Sequence, residues 1–251
     1  RGLNPIDFSL QVVLPELDGR ITTRICGHKE NVEKNKHLSI NIQKVKPYTS
    51  SLNWLAKYTK SWIKLQSIKN KEKKIAIIIA NYPNKDGRLA NGVGLDTIQS
   101  IVNILSWLKE EGFDLGDKGL PKDSNQLINL ILNSRTNSNE TVTKKPLDFL
   151  NLNDYLKCWK KMNISSKNKI IDKWGLPKDS KEIELNGFSI NGISFGNIVI
   201  LIQPSRGYDE NNIDDLHSPY LPPPHRYLAQ YHWLKAKFKC NCIIHMGKHG
   251  T

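Results

Sequence analysis

The sequence contains no apolar run near the roughly 20 residues that a membrane-crossing helix needs, and nothing at Arg1-Gly2-Leu3-Asn4 has the form of a secretory leader. Its four cysteines, Cys26, Cys158, Cys240 and Cys242, form no C-x-x-C pair and no zinc-ribbon spacing. That pattern argues against a disulfide framework or a thiolate zinc site, and for reduced thiols in a cytoplasmic protein. No phosphate-binding G-x-x-x-x-G-K-[ST] loop occurs, and Gly247-Lys248-His249 keeps only a fragment of one. Any ATP hydrolysis would therefore come from another polypeptide. Gly92-Val93-Gly94 precedes a helical pattern, but Thr97 stands where a dinucleotide fingerprint has its third glycine, and the loop is too long for that tight turn. Acidic residues are also outnumbered, 24 Asp and Glu against 37 Lys and Arg, for a net charge of +13. Such an excess admits a nucleic acid, a phosphate or a polycarboxylate as partner. The lysines are scattered, however, and the tightest run, Lys69 to Lys74, is broken by Asn70 and Glu72, which favours a solvated surface. A nucleic-acid reading rests on charge alone, without any aromatic-basic motif.

What is present suits a soluble, globular protein of one large or two small domains: 251 residues, 38% hydrophobic and 24% charged. With no initiator Met and a last motif that stops at Gly250-Thr251, the chain is expected to be an internal segment of something larger. Two extended stretches, residues 10–14 and 20–26, flank the turn-type cluster Pro15-Glu16-Leu17-Asp18-Gly19 and predict an N-terminal hairpin. After Pro47, Leu52, Leu55, Tyr58, Trp62 and Leu65 recur at helical intervals, with the tryptophans read as core. Ile75-Ala76-Ile77-Ile78-Ile79-Ala80 and Asn197-Ile198-Val199-Ile200-Leu201-Ile202 have the continuous branched apolar character of strands buried on both faces of a parallel sheet. Cys242-Ile243-Ile244 begins a third strand, and His245 to Thr251 are read as the turn after it. Asp96 with Gln99 marks a capped helix start, followed by Ile98, Ile101, Val102, Leu105 and Leu108 on one face.

The expected fold is α/β, an open, mostly parallel sheet with flanking helices and a mainly helical insertion. Its expected parts are residues 1–112, carrying the hairpin and the first parallel strand; 113–190, the insertion; and 191–251, a strand-helix-strand unit that completes the sheet.

Parallel sheets hold ligands beyond the carboxyl ends of their strands. The loop after the first strand, the loop after the second and the turn after the third all leave from that edge, as does the helix start near His225. One sheet would therefore bring Arg88, Arg206, His217, His225, His245 and His249 to one crevice. Five of the seven histidines, His217, His225, His232, His245 and His249, fall in the last thirty-five residues, a clustering that suits metal handling or acid-base work. His245-x-x-x-His249 imitates a helical zinc motif, but it follows a strand and contains glycine, which excludes a zincin. His225 lies in a first helical turn, where the dipole keeps the ring neutral. His232 is read as packed or solvent-facing, and His28 and His37 as ordinary loop residues.

Several motifs carry a resemblance. They are Ile202-Gln203-Pro204-Ser205-Arg206-Gly207-Tyr208, His217-Ser218-Pro219, Leu221-Pro222-Pro223-Pro224-His225, Tyr227-Leu228-Ala229 and His245-Met246-Gly247-Lys248-His249-Gly250. Asn81-Tyr82-Pro83, Asp86-Gly87-Arg88, Asn91-Gly92-Val93-Gly94-Leu95-Asp96-Thr97 and Leu14-Pro15-Glu16-Leu17-Asp18-Gly19-Arg20 belong with them. Together they resemble the large-subunit family of aerobic cobaltochelatase and magnesium chelatase. The resemblance implies a tetrapyrrole-binding enzyme subunit, much longer than this chain, that forms nitrogen-metal bonds. An AAA-type motor of two other subunits would hydrolyse ATP, with its Mg²⁺. Gly-Lys-His-Gly and the triple proline resemble the cobalt branch, implying Co²⁺ as substrate metal and hydrogenobyrinic acid a,c-diamide, a cobalamin precursor, as the ring. His245 and His249 are then the expected catalytic and metal-binding groups, and Arg206, Arg88, His217 and His225 the substrate-binding ones. A magnesium-type subunit acting on protoporphyrin IX, or a non-catalytic tetrapyrrole or metal carrier, are the alternatives, and the isolated segment is expected to be inactive.

Overall fold

Residues 4–35, 40–81, 89–90, 92, 94–207 and 220–247 are described in a computed structural model of the chain. Two compact units divide at Ser67, Arg1–Ser67 and Ile68–Thr251. Both boundaries drawn from the sequence, at 112 and 190, fall inside the second unit.

The first unit begins with helix, not with a hairpin. Asn4 caps α1 (Pro5–Phe8) by accepting from the Asp7 amide at 2.8 Å, and a π turn over Ser9–Val13 leads into α2 (Leu14–Leu17). Leu10, Val13, Leu14 and Leu17 stand at i, i+3, i+4 and i+7, a helical period that overrides the expected strand at residues 10–14. The wide turn precedes Pro15, whose missing N–H and bulky ring do not fit a regular helix interior. The hairpin lies further on, where β1 (Gly27–Asn35) pairs antiparallel with β2 (Ile40–Pro47) from Gly27 opposite Pro47. A Lys46–Glu30 ion pair of 3.1 Å joins the two strands. His28 is thus a strand residue, stacked on Tyr48 at 4.7 Å, rather than a loop histidine. α3 (Thr49–Ser67) has the expected periodicity, yet none of its residues is buried. Its tryptophans are not core: Trp62 is 41% exposed, and Trp54 stacks on Tyr58 at 4.8 Å beneath the Arg24 guanidinium.

In the second unit, β3 (Ile75–Ile79) leads to α4 (Thr97–Glu110), capped by Asp96 accepting from the Gln99 amide at 2.9 Å as its sequence predicts. Then follow α5 (Ser124–Asn133), β4 (Asp148–Asn151), α6 (Leu152–Lys160), α7 (Ile164–Trp174), β5 (Gly187–Ile190), β6 (Gly192–Phe195), β7 (Ile198–Ile202), α8 (His225–Trp233) and β8 (Cys242–Met246). The main sheet has the order β6-β7-β3-β8, with β3, β7 and β8 parallel and β6 an antiparallel edge strand. The architecture is mixed α/β with a mostly parallel sheet. The mainly helical stretch also holds β4 and β5, an antiparallel pair of four-residue strands too short to announce themselves in sequence.

All five residues of β3 and of β7 are buried because helices cover both faces of the sheet. Ile75, Ile77, Ile79, Ile198, Ile200 and Ile202 pack with Ile101, Leu105, Leu127 and Ile131 of α4 and α5 on one face. On the other, Ala76, Ile78, Val199 and Leu201 meet Ala229 and Trp233 of α8, with Tyr155, Trp159, Ile170 and Phe188 beyond. Each fully buried isoleucine contributes about 1.5–3 kcal/mol relative to exposure.

Candidate active site at the carboxyl edge of the sheet

Register fixes the edge. Ile79 of β3 lies opposite Ile202 of β7 and opposite Met246 of β8, so the three parallel strands end level. α4 leaves β3 for one face and α8 leaves β7 for the other. A crevice between two such neighbouring strands is where open α/β sheets bind ligands. Asn81, just past β3, is 5% exposed, and neither its side-chain amide nitrogen nor its oxygen has a hydrogen-bond partner among the described residues. Just past β7, the Gln203 amide N–H donates to Ile79 O at 3.0 Å, and Gln203 O accepts from Asn137 Nδ2 at 2.8 Å.

His245 sits inside β8, opposite Ile78, and not in the turn after it. Pairing with β3 carries the strand two residues past the apolar dipeptide that marked it. Cys242, Ile244 and Met246 pack against one core face, and His245 alternates to the α8 side, where its ring stacks on Tyr231 at 6.1 Å and 20°. Its Nε2 is 3.5 Å from the Tyr231 hydroxyl. Partial burial holds its pKa below the ordinary 6.5, which keeps the imidazole neutral and a nitrogen lone pair available at neutral pH.

Arg206, in the loop after β7, places its guanidinium carbon 5.5 Å over the Tyr227 ring, and its buried Nε has no hydrogen-bond partner among the described residues. The loop is shaped by Gly207, with φ +81, where any Cβ would run into the Trp174 ring. Trp174 in turn donates from Nε1 to Pro222 O at 2.7 Å, tying α7 to the proline run before α8.

His225 does not face the crevice as an available ring. It is 1% exposed, and both of its nitrogens are engaged. Nε2 bonds to Gly175 O at 3.0 Å, and a carbonyl only accepts, so Nε2 carries the proton and Nδ1 accepts from the Tyr155 hydroxyl at 2.8 Å. Burial pushes the Tyr155 phenol up and the His225 imidazole down, so both stay neutral. The side chain locks α6 and α7 to the start of α8. Nearby, Glu182 Oε2 accepts from the Arg226 amide at 3.3 Å in the first turn of α8, and Arg226 Nη2 donates to Asn137 Oδ1 at 3.3 Å.

His232, on α8, stacks obliquely on Tyr155 at 5.5 Å, and its buried Nε2 has no hydrogen-bond partner among the described residues. Arg88, His217 and His249 lie outside the described residues. Among the described residues no group of three or more His, Cys, Asp or Glu could hold a metal ion, and no helix is long and apolar enough to cross a membrane. A cavity of about 200 Å³ lined by Lys109, Phe113, Asp114 and Leu120 lies away from the edge. Asp114 O accepts there from Asn197, the residue before β7 begins. Sequence reasoning assigned no site role to Tyr227, Tyr231, Gln203 or Asn137; the i, i+4 spacing of the tyrosines on one helix face was the available signal.

The family model described as CobN/Magnesium Chelatase matches residues 1–251. The chain belongs to that family. It is 34% identical over 252 residues to the aerobic cobaltochelatase subunit CobN of Pseudomonas aeruginosa, covering 100% of this chain and 20% of that protein. It is 25% identical to the magnesium-chelatase subunit ChlH of rice, covering 100% of this chain and 17% of that protein. Among solved structures, the catalytic subunit of cobaltochelatase from Mycobacterium tuberculosis is similar over 99% of this chain and 20% of that one, with 27% identity and a TM-score of 0.77. The chain thus spans about 20% of the length of such CobN/Magnesium Chelatase relatives.

Proposed function

We propose that this chain is part of a chelatase large subunit that holds a corrin-type tetrapyrrole and receives Co²⁺ into it, hydrogenobyrinic acid a,c-diamide being the ring. The observation that carries the reading is the carboxyl edge of the sheet, where Arg206 follows β7 and the neutral His245 sits near the end of β8, on the two strands that flank β3. The greater identity to the cobalt-branch relative, 34% against 25%, favours cobalt over magnesium.

In this reading Arg206, with Arg88 and His217, holds the acidic side chains of the ring through charge-assisted hydrogen bonds. His245 and His249 present nitrogen lone pairs to the incoming Co²⁺, to which imidazole is well suited. Metal insertion displaces the N–H protons of the ring, and neutral imidazole or carboxylate groups at the same edge take them up. His225 supports α8 from beneath and touches no ligand. No phosphate-binding loop is present in the sequence, so ATP and its Mg²⁺ are placed on AAA-type partner subunits that drive the cycle. The site is assigned to a cytoplasmic biosynthetic enzyme.

The deciding experiment titrates the full-length protein with hydrogenobyrinic acid a,c-diamide and with protoporphyrin IX, following absorbance and tryptophan quenching. Selective corrinoid binding, weakened at least about tenfold by Arg206→Ala, is expected from the loss of a charge-assisted bond worth about 1.5–3 kcal/mol. Selective porphyrin binding would move the protein to the magnesium branch, and binding of neither would leave a carrier of some other ligand.

A further inference from the structure

Two tyrosines of α8 connect the end of β7 to His245. Gln203 donates from Nε2 to the Tyr227 hydroxyl at 3.2 Å, the Tyr227 and Tyr231 hydroxyls are 3.4 Å apart, and the Tyr231 hydroxyl is 3.5 Å from His245 Nε2. The Tyr227 and Tyr231 rings lie 5.2 Å apart, one helical turn from each other, with the Arg206 guanidinium over the first and the His245 imidazole stacked on the second. Gln203 anchors the series, since its own backbone is fixed by Ile79 and Asn137. Among the described residues nothing bonds His245 Nδ1.

A hydroxyl has one proton to give and two lone pairs, so Tyr231 can accept from Nε2–H and still donate to Tyr227. An imidazole whose Nε2–H is spent in this way has its tautomer fixed and its Nδ1 lone pair bare. Metal-binding histidines are held by an acceptor at the nitrogen away from the metal in the same manner, and losing that acceptor typically costs about 10–100-fold in metal affinity or activity. The ring stack adds a second constraint, on the plane of the imidazole.

We propose that Tyr231 is a positioning residue that sets the plane and tautomer of His245, so that Nδ1 is the nitrogen offered to the substrate metal. This inference rests on the metal-delivering role assigned above to His245.

The test uses the full-length subunit with its motor subunits, ATP, Co²⁺ and the corrin precursor, comparing Tyr231→Phe, His245→Ala and the double variant. Tyr231→Phe keeps the ring stack and removes only the hydroxyl. It is expected to leave the thermal midpoint and the affinity for the corrin ring as in the wild type, while the KM for Co²⁺ rises about 10–100-fold. Added to His245→Ala, it is expected to cost nothing more, because both changes remove one interaction. Wild-type Co²⁺ kinetics in Tyr231→Phe beside an impaired His245→Ala would overturn the positioning role and leave the chelatase reading intact. A lowered thermal midpoint with weakened ring binding in Tyr231→Phe would reduce Tyr231 to a packing residue. Unimpaired insertion by His245→Ala would overturn the site reading itself.

Discussion

A buried imidazole must be neutral or paired, and the three described histidines of the second unit are all held below the ordinary pKa of 6.5 by burial. His225 manages its burial with two hydrogen bonds, whereas His232 leaves Nε2 without a partner among the described residues. The consequence for stability has a definite sign. Above pH 6.5 these rings are neutral in both folded and unfolded chains and contribute no pH dependence. As pH falls through 6.5, the unfolded chain takes up protons that the folded one still refuses, so stability falls until the lowered folded values are reached. Urea midpoints measured from about pH 8 down to about pH 5 should therefore decline. His232→Leu exchanges an unpartnered polar ring for an apolar side chain, so it should keep stability near pH 7 within about 1 kcal/mol and make the decline shallower. An unchanged slope in that variant would mean His232 titrates normally in the folded chain.

At the scale of elements, the β6–β7 hairpin fixes the edge of the main sheet through one turn. Gly196 there has φ +50, and a Cβ on it would press on Gly116 N, Asp114 O and Leu115 C. The left-handed backbone alone costs a side chain about 1–2 kcal/mol, and backbone neighbours cannot swing aside. Gly196→Ala is expected to lower stability by at least about 2 kcal/mol, read from the urea midpoint at unchanged m-value. A loss under about 0.5 kcal/mol would show that the turn adapts. Elements like β3 and β7 were readable in the sequence because a run of five apolar, mostly branched residues is what a strand buried on both faces requires. β1 and β2 were not, since Lys, Glu and Asn fill them and their pairing depends on register rather than apolar alternation. The carboxyl edge was legible from topology: the loop after β7, which carries Arg206, and the end of β8, which carries His245, lie at the same edge on the two strands that flank β3. The fate of His225 was not, because the Tyr155 hydroxyl that occupies it comes from seventy residues away and only the packed structure brings it there. The tyrosine chain was hidden for the same reason, each of its links crossing from one element to another except Tyr227 to Tyr231.

For the molecule as a whole, the two units differ in what holds them. Residues 68–251 bury both faces of a four-stranded sheet beneath helices, whereas no described residue of 1–67 is buried and Ile6, Leu17 and Ile25 are each more than 70% exposed. Cooperative unfolding needs a shared core that all elements lose together. A chain of residues 68–251 alone is therefore expected to unfold in one transition, with far-UV and tryptophan signals coinciding. Residues 1–67 alone should show a broad, non-cooperative melt and bind a hydrophobic dye, since helices without a packed face are marginal in water. Failure of 68–251 to unfold cooperatively would mean that its two faces are not self-sufficient. A sharp transition in 1–67 alone would mean that the hairpin and α3 build a core of their own.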